Sequence, residues 1–206
     1  MKKLFSLIAL FIGLSVSAQN RLVHDYQQWN VRNFRSCPDF KVQVTLSEVN
    51  PRILNAAVFW VTNEERLRDG KMILNYNEAL ETSAFFHAKY MFDKKQITHE
   101  NRDDFSRKSP GNRAGLAGVE NPYIAENCLY FTDYDATYSY LKLAEKIVGM
   151  WMKSPPHKAN ILSEKGLEMG CGIYTGNNIL WGAQNFQWFE PVIYNKLKAS
   201  DEMNIK

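Results

Sequence analysis

The feature that most restricts this chain is a helix stop followed by a strand. Residues 147–172 read IVGMWMKSPPHKANILSEKGLEMGCG, so an apolar helical run carrying Trp151 meets Ser154-Pro155-Pro156 before a glycine-flanked stretch. A residue preceding proline is pushed out of the α region, and a proline beyond the first helical turn lacks the needed donor. His157 is therefore held at an element boundary, which suits a site residue better than a core one.

The start of the chain has a different character. Lys2 and Lys3 precede an apolar run over residues 4–16, broken only by Ser6, Gly13 and Ser15, and Val16-Ser17-Ala18 then offers small residues before Gln19. This pattern predicts a secretory signal peptide over residues 1–18, and hence a chain secreted to the periplasm or beyond the cell. No other stretch approaches about 18 uninterrupted apolar residues, so no membrane span is expected in the mature chain. The remaining 188 residues suffice for one domain with a sizeable core. Losing the two lysines lowers the formal charge from +3 to +1, with arginines and lysines scattered, which argues against nucleic acid as a partner.

Helical periodicity marks three long elements. Asn50 offers an N-cap with Pro51 at the first helical position, and Leu54, Ala57, Val58 and Val61 make one apolar stripe of a helix ending near Gly70. A second helix begins near Asn77, with Leu80, Ala84, His87, Ala88 and Met91 on one face; that spacing predicts His87 to be a hydrogen-bonded core residue. Residues 93–121 are polar and rich in turn signals, and read as a long functional loop. The third helix is expected over residues 136–152, with Leu141, Ala144, Val148 and Trp151 on one side. Residues 169–174 and 179–189 read as two strands joined across Gly176-Asn177-Asn178. In residues 19–50 only Val42, Val44 and Leu46 alternate like a short strand, and residues 191–206 read as a charged tail.

Four stretches in order carry a resemblance: Asn63-Glu64-Glu65-Arg66, the helix over residues 84–91 leading to His99, Ala125-Glu126-Asn127, and the W-x-x-S-P-x-H-x-x-N-I-L run followed by Met169-Gly170-Cys171-Gly172. Together these resemble the bacterial SCP-like branch of the CAP superfamily, that of cysteine-rich secretory proteins, antigen 5 and pathogenesis-related proteins. The likeness covers residues 51–190. It implies an α+β fold, an α-β-α sandwich with helices on both faces of a small, mainly antiparallel sheet, and helices followed by strands fit that arrangement. Asn63 and Arg66 are then expected to tie the following loop. Three cysteines cannot all pair within one chain. If one bridge forms, Cys128 with Cys171 is the expected pair, because both adjoin motifs that the family brings together.

In such families two histidines and one or two glutamates meet in a cleft, and the resemblance carries this to His99, Glu126 and His157. Two neutral imidazoles and a carboxylate form a ligand set that zinc accepts. The eukaryotic pattern has a second glutamate where this chain has Ser154, which removes one acid from the site; Glu100, beside His99, is the alternative acid. Ser154 also lies in the expected cleft, either as a residue that caps the turn or as a nucleophile beside His157, which would need a histidine within about 3 Å and a third orienting group. Trp151, Tyr123, Tyr130, Trp181 and Trp188 read either as cleft lining or as core. Three functions remain open on these residues. They are a secreted module binding a divalent metal, lipid or other small molecule, a specialised hydrolase of peptidase type, and a protein-interaction module without catalysis.

Overall fold

The computed structural model describes residues 26–134 and 136–188. The leader expected over residues 1–18 and the tail expected over 191–206 lie outside the described residues.

Helix α1, Pro51–Arg68, starts as its cap predicts: Asn50 is extended and its side chain accepts the Arg52 amide at 3.1 Å. Helix α2, Glu78–Lys94, is capped by Asn77, which accepts the Leu80 amide at 3.0 Å. The short α3, Pro110–Leu116, is followed by α4, Tyr140–Met152, and α5, Pro155–Ile161. The strands are β1 (Gln43–Val44), β2 (Asn75–Tyr76), β3 (Ile124–Thr132), β4 (Tyr138–Ser139), β5 (Gly166–Gly176) and β6 (Ile179–Trp188). β1 pairs with β4, and the main sheet runs β2-β5-β6-β3, antiparallel except for β2 against β5. Asn177 and Asn178, with φ of 53° and 58°, close the β5–β6 hairpin in the primed turn that strand twist favours.

The helices cover both faces of this sheet, giving the α+β sandwich. On one face Leu54, Ala57 and Val58 of α1 and Ile147, Val148 and Trp151 of α4 bury against Met169, Cys171, Ile173 and Phe186. On the other, Ala84, Ala88 and Met91 of α2 meet Cys128, Trp181 and Ala183. The Met-Gly-Cys-Gly run now has a physical reason, because strand side chains alternate faces. Met169 and Cys171 point to α1 and α4, while Gly170 and Gly172 lie against the α2 backbone. A Cβ on Gly172 would stand 1.9 Å from the Phe85 nitrogen.

The same alternation overturns the expected disulfide. Cys171 faces α1 and Cys128 faces α2, and β6 lies between their strands, since Cys128 is opposite Ala183 and Cys171 opposite Gln184. Two strand spacings, about 10 Å, exceed the Cα separation a disulfide spans, about 7 Å at most. Cys37, Cys128 and Cys171 are all buried free thiols.

Other differences are local. Helix α4 begins at Tyr140, not near residue 136, because residues 138–139 pair as β4 and the Ser139 hydroxyl caps the Lys142 amide. The long polar stretch holds α3, whose start is a capping box between Ser109 and Asn112 with Pro110 in the first turn. Residues 26–50, the described part of the expected extension, put Phe34, Phe40, Val44 and Leu46 into the core under α1 and α4. Arg35 clips this segment down, bonding Glu64 of α1 at 2.7 and 2.6 Å and Glu145 of α4 at 2.7 Å. Asn63 and Arg66 tie the following loop as expected: Asn63 exchanges two bonds with the Leu74 backbone, and Arg66 donates to the carbonyls of Met72, Ile161 and Ser163. Among the described residues no helix is long and apolar enough to cross a membrane.

Candidate functional site at the sheet edge

β3 is the edge strand of the main sheet, and its alternation splits the Ala125-Glu126-Asn127 motif between two tasks. Glu126 points to the α2 side. Its Oε1 lies 3.0 Å from His99 Nδ1 and its Oε2 accepts from the Arg113 guanidinium at 2.7 Å. Asn127 points to the other side, where its amide donates to the His157 carbonyl at 3.1 Å and its oxygen accepts from Asn160 at 2.9 Å. One dipeptide thus fastens the segments that carry both histidines.

Arg113 was missed in the sequence, and it organises the site. It is 5 % exposed and, besides gripping Glu126, donates to the carbonyls of His99, Arg107 and Lys108 at 3.1 to 3.2 Å. A planar fork with several fixed donors suits this task. It fixes the backbone of His99 directly and the ring of His99 through Glu126. The signal that points to it is the Ser109-Pro110 helix start, which places Arg113 on the first turn of α3.

Charge follows geometry. Burial alone would push the Glu126 carboxyl up, but the bond from His99 and the Arg113 charge hold it below the usual range. The hydrogen bond to Glu126 raises His99, whose ring is half exposed. Burial lowers His157, and the His99 charge nearby lowers it further. With Nδ1–H given to Glu126, the Nε2 of His99 keeps a free lone pair. Titration followed by NMR is expected to give His99 a midpoint above 6.5 and His157 one below. Because the folded value of His99 is raised, its bond to Glu126 stabilises fully below the unfolded pKa and is lost as pH rises through the folded one. A His157 midpoint above that of His99 would contradict the arrangement.

The remaining expected residues divide. His87 is 1 % exposed and bonds the Thr98 carbonyl through Nε2 at 2.7 Å, as a core histidine should, yet Nε2 is also 3.6 Å from Glu126 Oε1. Cys128, two residues along β3 from Glu126, faces the same way, with Sγ 3.7 Å from His99 Nδ1. Ligand atoms of His87, Glu126 and Cys128 lie within 4.8 Å of one another, close enough to hold a metal ion. Ser154 occupies the N-cap position of α5 but its side chain makes no capping bond; Pro156 has no amide to donate at N2, and the His157 amide at N3 is not taken up. Glu100 is exposed and turns to Arg102 at 3.9 Å. Trp151 and Trp181 are core, whereas Tyr123 and Tyr130 are 58 and 49 % exposed.

The comparisons agree with this architecture. The family model described as CAP, cysteine-rich secretory protein family, matches residues 60–186. An extracellular protein containing an SCP domain from Bacillus anthracis superposes with a TM-score of 0.54 at 20 % identity, over 68 % of this chain and 41 % of that one. An outer surface protein from Borrelia burgdorferi gives 0.53 at 17 % identity, covering 73 % of this chain and 99 % of the other. A cysteine-rich secretory protein from Staphylococcus aureus gives 0.50 at 17 %, over 68 % and 40 %. This chain therefore spans about two fifths of the Bacillus and Staphylococcus chains and nearly all of the Borrelia one. A search of curated proteins returned no match. With more than half its length matched to the family model and the sandwich in place, the chain belongs to the CAP family of cysteine-rich secretory proteins.

Proposed function

We propose that this is an exported CAP domain that binds a divalent transition metal, zinc best, in the cleft formed by His99, Glu126 and His157. The observation that carries the reading is the 3.0 Å contact between Glu126 Oε1 and His99 Nδ1, which leaves Nε2 of His99 free to ligate. Glu126 is 7 % exposed with both oxygens engaged, so within this reading it positions His99 while the two imidazoles face the ion. Ser154, half-buried with no capping bond, keeps its hydroxyl available at the cleft. The metal would supply an electrophilic centre for an anionic or carbonyl-bearing ligand. Export is supported by the leader pattern over residues 1–18 and by the descriptions of two structural relatives as extracellular and outer surface proteins.

Calorimetric titration of zinc tests this with the mature chain. His99→Ala and His157→Ala, alone and together, are expected to weaken the cleft isotherm by about tenfold or more, with the helical circular dichroism unchanged. Affinity should fall as pH drops, because an imidazole must be neutral to ligate. Equal isotherms for wild type and the double variant would remove the cleft from consideration.

A further inference from the structure

We propose a second, internal metal site made by His87 Nε2, Glu126 Oε1 and Cys128 Sγ, of the chemical class that takes zinc, separate from the cleft of His99 and His157. Zinc accepts nitrogen, oxygen and sulfur at about 2.0 to 2.3 Å, so its tetrahedral ligands stand about 3.3 to 3.7 Å apart. His87 Nε2 and Glu126 Oε1 are 3.6 Å apart, and Cys128 Sγ falls within 4.8 Å of both. The three come from elements that cannot drift: the buried face of α2 and two same-facing positions of β3. The Thr98 carbonyl, 2.7 Å from His87 Nε2 and 3.9 Å from Cys128 Sγ, borders the same space and brings a fourth donor atom, an oxygen.

Two observations favour a metal over a plain hydrogen-bonded core. The first is that His87 is 1 % exposed and its Nδ1 is engaged by no other group, so the ring proton can sit there and leave Nε2 as the ligating lone pair. The residue also lines a cavity of about 450 Å³ together with Tyr90 and Arg113. When a metal takes Nε2 the imidazole stays neutral and its proton moves from Nε2 to Nδ1. The second is that Glu126 keeps one oxygen for Arg113 and presents the other to His87 and His99, so ligation needs no loss of the Arg113 pair. Cys128 is a buried free thiol. A divalent ion replaces its proton, which leaves to solvent, and a metal–thiolate bond forms where the sulfur–hydrogen bond was. The Nδ1–H of His99 stays on Glu126, so this site and the cleft share one carboxylate and no imidazole.

X-ray absorption at the zinc edge of the loaded mature chain decides the matter without any variant. With both sites loaded the expected spectrum shows sulfur at about 2.3 Å, one for every two zinc ions, besides nitrogen and oxygen neighbours. Cys128→Ser should convert it to nitrogen and oxygen alone, while His157→Ala should keep the sulfur. A wild-type shell of nitrogen and oxygen only overturns the internal site and leaves the cleft reading standing. Sulfur scattering that survives Cys128→Ser, or wild-type protein that retains no zinc, also overturns it. If Cys128→Ser does not fold, the wild-type spectrum still gives the answer. Zinc isotherms unchanged by His157→Ala, with the sulfur shell intact, would instead sink the cleft and leave the internal site.

Discussion

Gly172→Ala is expected to lose at least about 3 kcal/mol of stability, at the upper end of what overpacking costs. The reason is that the added Cβ meets backbone and not a side chain that can turn away. It would stand 1.9 Å from the Phe85 nitrogen and 2.3 Å from the Ala84 carbonyl carbon, so all of α2 would have to lift from β5. Lifting α2 would also carry His87 away from Glu126. Gly149→Ala, in α4, is the matched control, since nothing lies within 4 Å of its added Cβ. A helix-interior glycine costs roughly 0.5–1 kcal/mol relative to alanine, so the control should gain about that much. Thermal unfolding of the two variants separates the cases, with a fall of roughly 6 °C or more for Gly172→Ala in a chain of this size. A Gly172→Ala protein within about 1 kcal/mol of wild type would show that the sheet and α2 are not in the contact described.

Arg113→Met should cost about 3–5 kcal/mol near neutral pH, the usual result of leaving one member of a buried ion pair alone. The side chains of Arg113 and Glu126 are 5 and 1 % exposed, so solvent cannot take over the lost partner. The carbonyls of His99 and Arg107 lose the guanidinium donor at the same time, and that of Lys108 is left with the Asn101 amide. The pH dependence identifies the cause. In wild type Glu126 is held below the usual range, so its contribution is present above the unfolded pKa and lost as pH falls through the folded one. Without the guanidinium, burial dominates and Glu126 protonates at a higher pH. The deficit of the variant should therefore shrink between pH 7 and about pH 4.3, the unperturbed glutamate value. Arg113→Lys should fall between the two, keeping the charge but not the fork. Urea unfolding at the two pH values is the measurement, and a deficit independent of pH would mean that packing, not the ion pair, was lost.

Local chemistry is what the sequence by itself determined. Asn50, Asn77 and the Asn177-Asn178 pair specify caps and a turn through their own backbone and side-chain geometry, and each structure element begins or turns where they stand. Helices followed by strands announced the α+β sandwich, and the motifs located His99 and Glu126, which do meet. Tertiary structure decided which faces these elements show to one another. Cys128 and Cys171 adjoin neighbouring motifs in the sequence but lie on opposite faces of one sheet, because their partners on β6, Ala183 and Gln184, are consecutive residues. β3 carries Glu126, Asn127 and Cys128 as an edge strand, and its run of IAENCLYFT lacks the clean alternation that would have marked it. His87 reads as core from its helical stripe, and it is; only the packing of α2 on the sheet puts its Nε2 beside Glu126. Arg113 looks like one more scattered cation until α3 folds back over β3. The physical reason is common to all four. Caps and turns rest on contacts within a few residues, whereas strand pairing and helix docking join segments tens of residues apart, and no short stretch encodes its partner's register.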